Sequence, residues 1–114
     1  MSNEVREAAL RMYAAFNAHD HEAADSIFTA DFYSHPLGTT GPAGVTRSWQ
    51  RFHDTFPDAQ VVVEDMVVEG DRAAVRTSVH GVSDEQAPTM LEIFRVRDGR
   101  IAELWGLSAL RRDI

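Results

Sequence analysis

A chain of 114 residues with 44% hydrophobic and 25% charged side chains has the size and balance of one globular domain, able to bury about two-thirds of its unfolded surface in a single core. It contains neither cysteine nor lysine, its cations being arginine and histidine, which excludes disulfides, thiolate nucleophiles, thiolate metal sites and Schiff-base chemistry. A net charge of -7, no transmembrane run and no apolar leader predict a cytoplasmic protein that partners neither nucleic acid nor membrane, against which stands a local basic patch such as Arg95, Arg97 and Arg100.

From Glu4 to Ala18 the apolar residues Val5, Ala8, Ala9, Met12, Tyr13 and Phe16 recur every three or four positions, which predicts an amphipathic helix. Asp20 is placed to cap a second, short helix that turns Ala23, Ala24, Ile27 and Phe28 inward and ends near Thr29. Pro36 biases His35 toward an extended backbone, so Phe32 to His35 reads as a short edge strand. Gly38, Gly41 and Pro42 mark a turn, and Val45, Trp49, Phe52 and Phe56 then predict a third helix closed by Pro57.

The second half changes period. Val61 to Val68 and Ala73 to Val82 are rich in β-branched residues and flank the turn sequence Glu69-Gly70-Asp71-Arg72. Thr89 to Arg97 and Arg100 to Leu107 flank Asp98-Gly99, a strong signal for a type I′ hairpin turn. Helices followed by an antiparallel meander predict an α+β domain over residues 1–114, with three N-terminal helices packed on one face of a curved sheet.

Strand alternation groups the polar residues. Met90, Glu92, Phe94 and Val96 share a face, and a carboxyl buried in that company is pushed toward its neutral form. Ala74, Arg76, Ser78 and His80 lie opposite Val75, Thr77 and Val79, while Ile101, Glu103, Trp105 and Leu107 are expected on one face of the last strand. Alternation does not say which face is concave.

The order YAAFNAHDHEAADSIFTADFYSHPLG, GPAG, FPD, EGDRAAVR and FRVRDGRIAELW resembles the nuclear transport factor two-like superfamily over nearly the whole chain. Phe56-Pro57-Asp58, the Gly-Asp-Arg turn and the Asp98 to Trp105 hairpin are most similar to the SnoaL-like polyketide cyclases, or ester cyclase group. That resemblance implies a cone-shaped α+β barrel with a deep apolar pocket, commonly dimeric through its sheet, in a superfamily of cyclases, isomerases, dehydratases, epoxide hydrolases and non-enzymes. The first half also resembles the ketosteroid isomerases: Tyr13 stands where their oxyanion-stabilising tyrosine stands, His35 replaces their general-base aspartate in Ser34-His35-Pro36-Leu37-Gly38, and Glu92 falls at their second oxyanion-hole acid. The cyclases usually carry an aspartate four residues after the hairpin tryptophan, where this chain has Ala109.

The expectation is therefore a cofactor-independent and metal-free protein for an apolar, carbonyl-containing small molecule, forming a homodimer through its sheet. His35 would be the general base, Tyr13 and Glu92 the donors to a developing enolate, and Trp49, Asp58, Arg76, His80 and Trp105 substrate-binding residues. Each has a structural alternative: His35 a strand-end hydrogen bond, Tyr13 a core aromatic, Glu92 a salt bridge to Arg76, Asp58 a turn residue, Trp49 and Trp105 core or wall, and His80 an ordinary strand histidine. His19, His21 and His53 read as exposed and lack metal-ligand spacing. The rival functions are a non-enzymatic binding or dimerisation module and, third, acid-assisted hydrolysis by Asp65, Arg76 and Glu92.

Overall fold

The computed structural model describes residues 2–84 and 86–109. Helix α1, Ser2–Asn17, buries Val5, Ala8, Ala9, Met12, Tyr13 and Phe16, the stripe expected from their spacing. The chain then reverses through His19, which takes a left-handed φ of 58°, and a 3-10 turn at His21–Ala23, with Asp20 at its N-terminal boundary but making no side-chain cap. Helix α2 is a single turn, Ala24–Ile27, because strand β1 takes over at Phe28 and runs to Ser34. The expected continuation of the second helix to Thr29 is thus corrected, since Phe28 and the β-branched Thr29 sit better on a pleated surface. Nor is β1 an edge: it pairs with the two-residue β2, Thr39–Thr40, on one side and runs parallel to the last strand on the other.

Helix α3, Pro42–Thr55, starts with proline in its first turn, where a missing N–H costs nothing. Gly44 presses it onto Thr39; a Cβ at Gly44 would stand 2.6 Å from the threonine Oγ1. Four long strands follow: β3 Gln60–Glu69, β4 Arg72–His80, β5 Thr89–Arg97 and β6 Arg100–Ser108. Asp98 and Gly99 both take positive φ, 54° and 78°, as the type I′ turn requires. The sheet order β2-β1-β6-β5-β4-β3 confirms an α+β fold in which the helices follow one face of a mostly antiparallel sheet.

That inner face carries Phe28 and Phe32 of β1, Ala73, Val75, Thr77 and Val79 of β4, Phe94 and Val96 of β5, and Ile101 and Leu104 of β6, all buried. One expected face is corrected. The β5–β6 register slips so that Arg95 faces Glu103 while Val96 faces Ile101, leaving Ala102 as an extra residue. Such a bulge reverses the alternation, putting Ile101 inside and Glu103 and Trp105 outside.

Candidate functional site

Between the concave face, α1 and α3 lies a cavity of about 470 Å³, within the range of small-molecule sites. Met12, Tyr13 and Phe16 come from α1, Val45, Ser48, Trp49 and Phe52 from α3, and Phe28, Phe32, Ser34, Val61, Val79, Met90, Glu92, Leu104 and Gly106 from the sheet. Pro36, Leu37, Leu107 and Ser108 also line it, and the exposure of both leucines marks the mouth.

Among the described residues Tyr13 and Glu92 are the titratable members of this wall, and the Tyr13 hydroxyl donates to Glu92 Oε1 at 2.7 Å. Their meeting follows from local structure. Tyr13 projects from the buried stripe of α1, edge-on to Phe94 at 6.0 Å, and Glu92 precedes Phe94 by two residues on the same face of β5. Burial pushes the Glu92 carboxyl up from 4.5 to about 7, against the lowering effect of the Tyr13 bond. Burial, and then the charge of Glu92, pushes the Tyr13 phenol upward as well, so it remains a donor at any ordinary pH. Arg76, the alternative partner for Glu92, instead pairs with Asp65 at 2.9 Å. Opposite Glu92 on β6 stands Gly106, where a Cβ would lie 3.3 Å from Glu92 Cγ; the glycine keeps the carboxyl open to the cavity.

His35 does not join this pair, and the expected three-residue site is corrected accordingly. Phe32 and Ser34 line the cavity, so Tyr33 and His35 point through the opposite face of the sheet. There the His35 ring stacks on Trp105, with centroids 4.9 Å apart and planes 11° apart, and Nε2 meets Glu103 Oε2 at 2.7 Å. Arg95 donates to the other Glu103 oxygen at 3.1 Å, and the Arg72 guanidinium lies 5.3 Å from the Trp105 ring. The hydrogen bond from His35, followed by Arg95, holds the Glu103 carboxyl below its ordinary range.

Of the expected substrate-binding residues, Trp49 lies in the cavity wall. The others do not. Trp105 is on the outer face through the β6 bulge, and Arg76 and His80 share the outer row of β4, where His80 Nε2 lies 2.9 Å from Ser78 Oγ. Asp58 is exposed in the α3–β3 turn, its carbonyl packed under Gly81. The expected exposure of His53 is also corrected: it is buried, its Nδ1 lies 2.7 Å from His21 Nε2, and His19 stacks on its ring at 3.7 Å. Stacked imidazoles direct their lone pairs along near-parallel planes, and no group of metal-binding side chains converges among the described residues.

Sequence reasoning misses Ser34, Ser48 and Gly106. Alternation from Phe32 carries the signal for Ser34, and the three-and-four spacing from Val45 carries it for Ser48. Gly106 depends on the strand register.

The SnoaL-like domain profile matches residues 9–104. A candidate polyketide cyclase from Bacillus cereus ATCC 10987 superposes with a TM-score of 0.84 at 30% identity, over 93% of this chain and 74% of that one. IdmH, a candidate polyketide cyclase from Streptomyces antibioticus, gives 0.80 at 30% identity over 92% and 91%. A candidate ketosteroid isomerase from Kribbella flavida gives 0.79 at 18% identity over 96% and 81%, a likeness of fold alone. No curated protein sequence matches the chain.

Proposed function

The chain belongs to the SnoaL-like domain family, and from that premise we propose that it binds an uncharged, largely apolar carbonyl compound and moves a proton at the carbon beside the carbonyl. The observation that carries this reading is the Tyr13–Glu92 pair, a carboxyl poised near neutrality in a wall of aromatic and aliphatic side chains. A group whose pKa lies near the working pH is the most effective single proton carrier, because it is present as base and regains its acid form in the same site. Glu92 as carboxylate takes the proton from carbon and, once protonated, returns it to the enolate. Tyr13 holds the carboxyl in place through Oε1 and leaves Oε2 for the ligand. Among the described residues the lining holds no arginine or histidine, which favours a ligand without negative charge.

The test is the exchange of the C1 protons of 2-tetralone in D2O, followed by NMR. Wild-type protein is expected to accelerate exchange, and Glu92→Gln to lose about 10²–10⁴ of that acceleration. Equal rates in the two proteins overturn the proton-transfer reading.

A second reading, a binding module without chemistry, is supported by Ala109 at the position where the resembling cyclases usually have aspartate. It predicts tetralone binding without exchange. For assembly, we propose that a second copy covers the outer face of the sheet, where Leu91 and Ile93 are 50% and 45% exposed beside Trp105. Sedimentation should then give a dimer for the wild type and a monomer for Ile93→Glu.

A further inference from the structure

Of the three serines in the cavity wall, Ser108 at the mouth has an interaction of its own, and Ser34 and Ser48 have no part in the proton step. Ser34 is buried, and its Oγ accepts the Leu37 N–H at 3.2 Å, but its own O–H finds no acceptor among the described residues. Ser48, on the inner side of α3, makes no side-chain hydrogen bond among them. Elsewhere the inward hydroxyls are used: Thr77 donates to the Met90 carbonyl, Thr29 to Asp31 and Thr46 to the His21 carbonyl. Thr39 Oγ1 also lacks a partner, but it is packed under Gly44, away from the cavity lining. An unsatisfied buried O–H costs on the order of 1–3 kcal/mol, so a free donor facing a ligand-sized cavity is matched by something that enters it.

The two serines are far from Glu92. Ser34 pairs with Leu104 and Glu92 with Gly106, two residues apart along β6 and two strands apart across the sheet. At about 3.3 Å per residue and about 4.8 Å per strand, their backbones are separated by on the order of 10 Å. β6, the strand between them, contributes Leu104 and Gly106 to the cavity wall. Gly44 of α3 packs on Thr39, the β2 partner of Ser34, and Ser48 lies one turn beyond Gly44 on the same helix face, which brings it toward Ser34.

We infer that Ser34 and Ser48 form a second hydrogen-bonding pole, so that the preferred ligand carries two oxygen functions at opposite ends of an apolar body. Its carbonyl lies at Glu92, and a hydroxyl or second carbonyl lies at the serines. The inference rests on the proposed function for the placement of the carbonyl.

The test compares 2-tetralone with 6-hydroxy-2-tetralone, which adds a hydroxyl at the far end of the same bicycle, by titration calorimetry on the whole chain. Wild-type protein is expected to bind the hydroxy compound roughly 3- to 10-fold more tightly, the yield of one or two neutral hydrogen bonds. In Ser34→Ala/Ser48→Ala that preference disappears. Ser48→Ala alone leaves the Leu37 N–H acceptor untouched and lowers the preference if the double variant does not fold. Equal binding of the two compounds by the wild type, or a preference that survives the variants, overturns the second pole and leaves the Glu92 reading standing. Absence of binding by both compounds overturns both.

Discussion

Replacing Glu92 by glutamine should make the protein more stable at alkaline pH and change little in acid. Glutamine keeps the length of the side chain and an oxygen to accept the Tyr13 O–H, but it cannot ionise. The carboxyl titrates at 4.5 when unperturbed and at about 7 in the fold, so between those values the folded state holds more protons than the unfolded one. The contribution of Glu92 is therefore greatest below 4.5, declines as pH rises through the interval, and is fully lost above about 7. An interval of about 2.5 units at about 1.4 kcal/mol per unit gives a ceiling of about 3.5 kcal/mol. The cavity opens at Leu37 and Leu107, which returns some hydration to the carboxylate and sets the expected gain at about 1–3 kcal/mol. Urea unfolding of both proteins between pH 5 and pH 9 measures it, because every other titrating group cancels in the difference. A difference that stays flat across that range, or shrinks toward alkaline pH, refutes the assignment of Glu92 as a desolvated carboxyl.

His35→Ala should leave tetralone exchange unchanged and cost under about 1 kcal/mol in a denaturation curve, because its partner Glu103 is a surface acceptor and the His35 side chain is 41% exposed. Gly81→Ala should cost roughly 2 kcal/mol or more by the same measurement, since φ is +83° and the new Cβ would stand 2.4 Å from the Asp58 carbonyl oxygen. His53 is held below its ordinary 6.5 by burial and then by His19 and His21, so its unfolded form binds protons first and stability falls as pH drops through 6.5. His53→Gln should flatten that acid limb in thermal melts taken between pH 7.5 and pH 5.

The long strands and the buried stripe of α1 are legible because each depends on a local period that the sequence writes directly. Glu92 is legible for the same reason: Met90, Phe94 and Val96 share its row, and the row turns inward. Trp105 is lost to one inserted residue, Ala102, since a bulge shows itself only in the pairing of two strands. His35 is a different case. Its resemblance to a catalytic position supplies a place in the chain, whereas direction belongs to the backbone, and the inward Phe32 and Ser34 send the next residue out. The histidine cluster is invisible for a third reason, because His53 returns to His19 and His21 only when α3 folds back on α1.

The outward direction of the sheet's cations is what gives the inner face its chemistry. Arg72 and Arg76 occupy the outer row of β4 and Arg95 and Arg97 the outer row of β5, where they serve Asp71, Asp65, Glu103 and Asp31 respectively. The row of β4 that faces the helices holds Ala73, Val75, Thr77 and Val79 instead. Had one of those positions been arginine, its charge would have favoured Glu92 as a carboxylate and drawn its pKa down, as the His35 hydrogen bond and then Arg95 draw down that of Glu103. The near-neutral titration of Glu92 is thus a property of strand register as much as of burial: the same alternation that excludes His35 from the cavity also turns the strand arginines away from the Glu92 carboxyl.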